Sequence, residues 1–262
     1  MGVNVLGPVE VWHAGLPVDL PGRQHRLVLG ILALFQGELV TADRLVDLLW
    51  QDHPPRRARA SIHSRVSELR ASLREFCRSE ARLVTRGNGY SLEIPDEQVD
   101  ARRFRRILAG LRTVGSDSVV RGCLQTAIGL WRGPVLGGEL TGAAHAAMCY
   151  GLESARLTAS EDLFEVELRL GNHQLVADEI VGLVAANPTR ERLLGQAMLA
   201  LYRVGRTAEA LQAYDRYRRW LADEFGADPG NALRQIQLTV LRDVAGQQTE
   251  PPAANTVHPV LH

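Results

Sequence analysis

Lysine is absent from this 262-residue chain, and all 30 basic residues are arginine. That excludes Schiff-base chemistry, lysine-borne cofactors and a Walker-type phosphate loop, which ends in Gly-Lys. Cysteine is scarce. Cys77, Cys123 and Cys149 stand alone, odd in number and without CxxC spacing, so neither a disulfide framework nor a zinc site is expected. Each reads as a small core side chain. Residues 1–12 do not join a basic segment to a long apolar run, and no stretch approaches the roughly 18 uninterrupted apolar residues of a membrane span. A soluble cytoplasmic protein without membrane association is expected. Net charge is also missing, because 30 acids balance the 30 arginines. Any affinity for a polyanion must therefore come from local charge. His13, His25, His53, His63, His145 and His173 show no metal spacing such as HExxH, and there is no GxSxG elbow or Ser-His-Asp order. No catalytic residue, metal or cofactor is expected.

What is present falls into two halves. Residues 3–20 read as short strands, Val3–Gly7, Val9–Trp12 and Leu16–Leu20, broken by Gly7-Pro8 and by His13-Ala14-Gly15. From Arg23 the period becomes helical, with Leu27, Ile31, Leu34 and Phe35 on one side and Gly37 closing the run. Thr41 is a candidate cap for a second helix that buries Leu45, Leu48, Leu49 and Trp50. A third helix is expected from Arg56 to about Arg78, with Ala58, Ile62, Val66, Leu69, Leu73 and Phe76 as a single apolar stripe. Two β runs around Gly87-Asn88-Gly89 read as a hairpin. Strands, three helices and a hairpin within 95 residues make a winged helix-turn-helix with an extra N-terminal sheet.

Beyond the polar break Pro95-Asp96-Glu97 only helical periodicity is visible, in residues 102–111, 119–130 and onward. Leu170-Gly171-Asn172 and Val204-Gly205-Arg206 lie 34 residues apart, and at that offset Leu168, Val176, Ile180 and Leu183 match Tyr202, Ala210, Tyr214 and Tyr217. A 34-residue helix-turn-helix period is the tetratricopeptide signature. The expected class is mainly α with a small β component. A winged-helix DNA-binding domain at 1–95 precedes an all-α, tetratricopeptide-like domain at 98–245. Pro188 and Pro229 are expected to begin later helices, residues 232–241 to form the closing one, and residues 246–262 to form a disordered tail.

Charge is concentrated in the third helix and hairpin. Residues 56–86 hold nine arginines against three acids, a net of +6. Such a segment neutralises phosphates and releases counterions. At 100° per residue, Ala60, Ser64, Ser67 and Ala71 lie opposite the apolar stripe and His63 lies on its flank. These side chains are small or hydrogen-bonding and allow close approach to base edges in a major groove. Arg56, Arg57, Arg65, Arg70 and Arg74 border that surface, suited to phosphates that fix register. Arg86 enters the hairpin, with Asn88 at its turn, and an arginine there reaches a minor groove.

These residues carry a resemblance. Arg44–Trp50, Arg59–Leu73 and Thr85–Tyr90 resemble the OmpR-type DNA-binding domain. Leu130–Leu136 and Tyr202–Tyr214, followed by Leu221–Pro229, are similar to segments of the bacterial transcriptional activation domain. In this order they resemble the Streptomyces antibiotic regulatory protein family over about residues 3 to 245. The resemblance implies an activator of a secondary-metabolite gene cluster that binds direct repeats near the promoter −35 region. It further implies recruitment of RNA polymerase holoenzyme through sigma factor and core subunits, and residence on the nucleoid. Carried over, base-facing positions fall on Ala60, His63, Ser64 and Ser67. Phosphate contacts fall on Ser61, Arg65 and Arg70, and the minor-groove arginine on Arg86. Two copies on direct repeats would sit head-to-tail. Glu68 departs from the family's usual arginine and is repulsive beside a phosphate backbone, unless it pairs with Arg65 or accepts from a cytosine amine. Without lysine, no nucleotide requirement is expected.

The alternative is a helical-repeat adaptor without specific DNA binding. Glu161, Asp162, Glu165 and Glu167 are expected to be a solvated helix face, or else a docking surface for a basic partner. Trp131 is expected in the core at a helix end. Trp220 with Tyr214 and Tyr217 either packs in the core or lines a groove between helix pairs.

Overall fold

Short β-branched runs at the N-terminus pair because each buries one face. β1 (Gly2–Asn4), β2 (Glu10–His13) and β3 (Leu16–Val18) form an antiparallel sheet in that order. Its register aligns Val3, Val11 and Val18 in one buried row. The loop from β2 to β3 is Ala14-Gly15, both left-handed at φ 50° and 80°, a turn whose twist matches that of the strands. The computed structural model describes residues 1–35, 37–76, 81–111 and 115–248. It divides into two compact units, Met1–Leu163 and from Phe164 on.

In the first unit, α1 (Arg23–Leu34) is buried from Leu27 through Ala33. Gly30 permits this. A Cβ there would lie 2.6 Å from Leu136 Cδ2 and 2.8 Å from Val9 Cγ2. β4 (Val40–Thr41) leads into α2 (Ala42–Trp50), and the Thr41 hydroxyl accepts the Arg44 N–H at 3.1 Å, the expected cap. α3 is described over Ala58–Phe76 and begins at Ala58 rather than Arg56. Arg56 and Arg57 form a turn in which the Pro55 carbonyl accepts the Ala58 N–H at 2.9 Å, and residues 77–80 lie outside the described residues. Ala58, Ile62, Val66, Leu69 and Leu73 are all buried, and the side chain of Phe76 is not described. β5 (Arg82–Arg86) and β6 (Gly89–Glu93) form the hairpin around Gly87-Asn88, and the second sheet has the order β4-β6-β5.

The polar break at 95–97 lies within this first unit. Asp96–Gln98 forms a 3-10 turn, and Val99 bridges Val3 in parallel. α4 (Asp100–Gly110), α5 (Asp117–Gly129), a 3-10 turn at Val135–Gly138 and α6 (Gly142–Met148) follow. The Asp100 carboxylate, 3% exposed, accepts the N–H groups of Val5 (2.8 Å), Leu6 (3.0 Å) and Ala101 (2.7 Å). Burial pushes this carboxyl up, opposed by those three donors and by Arg132. Arg132 spans Glu10 at 2.6 Å, the Pro8 carbonyl at 3.2 Å and Asp100 at 3.6 Å. Leu6 and Val5 carbonyls accept the N–H groups of Arg132 and Leu136. Trp131 is buried edge-on to Phe104, with the Arg156 guanidinium 4.9 Å above its ring.

α7 runs Tyr150–Arg169, and α8 (His173–Ala186), α9 (Glu191–Arg203), α10 (Thr207–Phe225) and α11 (Asn231–Gln248) complete the chain. The 34-residue repeat is visible in hydrogen bonds. Gly171 N–H reaches the Leu168 carbonyl and Asn172 N–H that of Glu167. Thirty-four residues on, Gly205 reaches Tyr202 and Arg206 reaches Leu201. Both turns are Schellman caps with glycine left-handed at φ 83° and 81°. The paired positions Val176/Ala210 and Ile180/Tyr214 are all buried.

Two expectations need correction. Glu161 and Glu167 are buried at 3% and 2% exposure, so the acidic run is no solvated face. Asn172 Nδ2 donates to Glu167 across the helix end, and Glu165, which is exposed, pairs with Arg192 at 2.6 Å. The closing helix begins at Asn231 and continues to Gln248, so residues 246–248 are helical, while 249–262 lie outside the described residues. Tyr214 and Tyr217 are buried, as the core alternative has it, and half-exposed Trp220 meets Tyr217 at a tilt and Phe225 edge-on. Of the cysteines, Cys149 is buried, its thiol pushed up to about 11, Cys123 is half-buried, and Cys77 is not described. Among the described residues no helix is long and apolar enough to cross a membrane.

Removing the Asp100 side chain strands buried N–H donors. We expect Asp100→Ala to cost about 2–4 kcal/mol of unfolding free energy, read as a lower urea midpoint. A midpoint equal to wild type contradicts the role given to Asp100.

Candidate nucleic-acid interface

With its aliphatic stripe buried, α3 turns Ala60, His63, Ser64, Ser67, Ala71 and Arg74 to solvent. Arg56 and Arg57 are exposed just before it, and Arg86 and Asn88 are exposed on the hairpin. The structure therefore brings most of the expected site onto one helix and the loop beside it. Several members are already engaged within the protein.

Arg65 is half-buried and turned inward. Its guanidinium donates to the Ser61 carbonyl at 2.9 Å, to the Ser61 hydroxyl and to the Gln24 side chain, and lies 5.6 Å from the centre of the Trp50 ring. It ties α3 to α1 and α2, and it occupies Ser61 in doing so. Arg70 behaves similarly towards the hairpin. Its Nε donates to the Leu83 carbonyl at 2.8 Å, another nitrogen reaches the Thr85 hydroxyl, and the guanidinium sits 6.0 Å from the Tyr90 ring centre. Arg86 pairs with Glu93 across the hairpin at 2.7 Å, a contact that leaves it more than half exposed. His63 Nδ1 hydrogen-bonds the Tyr90 hydroxyl, and the two rings meet edge-on.

Glu68 finds partners other than Arg65. The Ser64 hydroxyl donates to one of its oxygens at 2.8 Å, and His25 Nε2 lies 3.0 Å from the other. These contacts hold its carboxyl below the usual range, with the Ser64 hydrogen bond as the largest cause. Ser64 is thus not an isolated hydroxyl but half of a pair with an acid.

Other contributors were not visible in the periodicity. Arg59 makes a two-pronged pair with Asp43 at 2.5 and 2.7 Å, locking the start of α3 to the first turn of α2. Gln24, His25 and Tyr90 act through contacts 27 to 43 residues away in sequence. Arg82 joins Arg70 and Arg74 around a hollow of about 410 Å³ between α3 and β5. The hairpin itself is pinned to the helix-turn-helix. The Asn88 carbonyl accepts the Ala42 N–H at 3.0 Å, at the N-terminus of α2. A Cβ at Gly89 would lie 2.5 Å from the Val40 carbonyl oxygen, so only glycine lets β6 pass β4 this closely. Among the described residues no group of histidine, cysteine and acidic side chains could hold a metal ion.

Two mutational outcomes follow. Gly89→Ala must push β6 from β4, and we expect faster amide hydrogen exchange confined to β4–β6. Exchange identical to wild type would remove the packing argument. Arg70→Ala should raise exchange at β5 as well as weaken any DNA binding, whereas Arg74→Ala, exposed and without such bonds, should leave exchange unchanged.

Comparison with known proteins gives concordant results. The model of the bacterial transcriptional activator domain matches residues 99–241. The regulatory protein DnrI of Streptomyces peucetius is 33% identical over 98% of this chain and 99% of its own length. The regulatory protein AfsR of Streptomyces coelicolor is 36% identical over 91% of this chain, which spans only 24% of AfsR. Among solved structures, Mycobacterium tuberculosis EmbR in complex with a low affinity phosphopeptide superposes with a TM-score of 0.79 at 32% identity. The match covers 92% of this chain and 65% of the EmbR chain. These relatives are named as regulators, and EmbR shares the winged-helix and helical-repeat architecture.

Proposed function

The chain belongs to the Streptomyces antibiotic regulatory protein family of transcription regulators, and we propose that it activates a secondary-metabolite gene cluster by binding direct repeats near the promoter −35 region. Residues 1–95 serve as the DNA-binding module and 98–245 as the activation domain. On DNA, two copies sit head-to-tail on the repeats and draw in RNA polymerase holoenzyme through sigma factor and core subunits. The site of action is the nucleoid, in the cytoplasm.

The observation that carries this reading is the outer face of α3. Small side chains at Ala60, Ser64, Ser67 and Ala71 leave room for base edges. Exposed Arg56, Arg57 and Arg74 border them, with Arg86 and Asn88 on the adjoining hairpin. In this proposal Ser64, Ser67 and Ala60 face bases, and Arg56, Arg57 and Arg74 meet phosphates. Arg86 exchanges its Glu93 partner for a minor groove. Arg65, Ser61 and Arg70 act chiefly by holding α3 to its neighbours, and His63 approaches the bases from its bond to Tyr90.

Fluorescence anisotropy with a promoter fragment, titrated at several salt concentrations, tests it. The log of affinity should fall linearly with the log of salt, Arg74→Ala should flatten the slope by about 0.9, and Arg86→Ala should weaken binding. Ser64→Ala should alter sequence preference more than non-specific affinity. A weak interaction with equal affinity for promoter and shuffled DNA would overturn the proposal.

A further inference from the structure

The second compact unit contains a concavity that DNA binding does not use. α7, α9 and α11 line a hollow of about 690 Å³, within the roughly 300–1,000 Å³ of pockets that enclose small organic molecules. Its floor is aliphatic. Leu168, Leu199 and Ile236 are half-exposed there, above buried Leu233. Gly195 brings α9 against α11, since a Cβ at that position would lie 2.8 Å from Ile236 Cδ1.

The rim carries more positive than negative charge. Arg169 and Arg192 both reach Glu165, at 3.5 and 2.6 Å. Glu191 is engaged elsewhere, accepting the Gly230 N–H at 2.9 Å and the Tyr217 hydroxyl at 3.2 Å. Arg203 lies eleven residues beyond Arg192 on α9, about 16 Å along the axis. It is exposed and rests against the Tyr202 ring, with no carboxylate in ion-pair range among the described residues. His173 also lines the hollow, and its Nδ1 is buried with no hydrogen-bond partner among the described residues. An apolar floor beneath the exposed Arg203 guanidinium suits a ligand with both characters.

We infer that this hollow binds a small amphipathic anion: a rigid apolar body covers Leu168, Leu199 and Ile236 while a carboxylate or sulfonate meets Arg203. Its volume suits such a molecule, whereas a stable protein partner needs about 800 Å² of surface on each side. The inference is independent of the DNA-binding reading.

The test uses the full chain and two fluorescent probes. 1-Anilinonaphthalene-8-sulfonate supplies the anion, and N-phenyl-1-naphthylamine is its neutral counterpart. The anionic probe should bind saturably at one site. Arg203→Ala should weaken it by about fivefold, the upper range for an exposed ion pair, without moving the urea midpoint. The neutral probe should bind more weakly and be indifferent to Arg203→Ala. Leu199→Gln should weaken both. Non-saturable binding, or an anionic-probe affinity unchanged in both variants, would overturn the assignment.

Discussion

Five aliphatic side chains along α3 decide which residues remain for anything outside the protein. Burying Ile62, Val66, Leu69 and Leu73 is worth about 1.5–3 kcal/mol each, while a surface ion pair is worth about 0–1 kcal/mol. The stripe therefore sets the rotation of the helix, and the arginines accept what that rotation leaves. Ala60, Ser64, Ser67 and Ala71 face out because the opposite side is committed. The hairpin then follows from β6, which pairs with β4 and β5 at once and delivers Arg86 and Asn88 beside the helix.

A chain without lysine must use arginine for every cationic task, and the structure separates those tasks. Arg65 and Arg70 spend their planar, multi-donor heads on Gln24, Ser61, Leu83 and Thr85, work that an ammonium group performs poorly. Arg59 does the same for Asp43. Arg56, Arg57 and Arg74 stay exposed. Glu68, unexpected on such a surface, is held by Ser64 and His25 and becomes part of the helix face instead of a stray repulsive charge.

Much of the fold was legible because it rests on local rules. The period of α3, the Thr41 cap, the glycine turn of the hairpin and the 34-residue repeat are each set by residues near one another in sequence. What was hidden depends on distant partners. Counting arginines placed Arg65 and Arg70 at a phosphate backbone, since nothing in the spacing reveals Gln24 or Leu83 in range. The acidic run of α7 reads as solvated until Asn172 and the neighbouring helices enclose Glu161 and Glu167. Pro95-Asp96-Glu97 reads as a polar break, yet the next carboxylate, Asp100, caps the N–H groups of Val5 and Leu6 and keeps the first helices of the activator region in the same compact unit as the winged helix.

The central claim is that the outer face of α3 enters a major groove. Photocrosslinking with a benzophenone side chain placed at Ser67 or Ala71, on promoter DNA, tests it most directly. The account predicts crosslinks to bases within the direct repeats from both positions and none from a control at Val181 on α8, which is also solvent-exposed. Crosslinks from Val181 but not from Ser67 or Ala71 would contradict it.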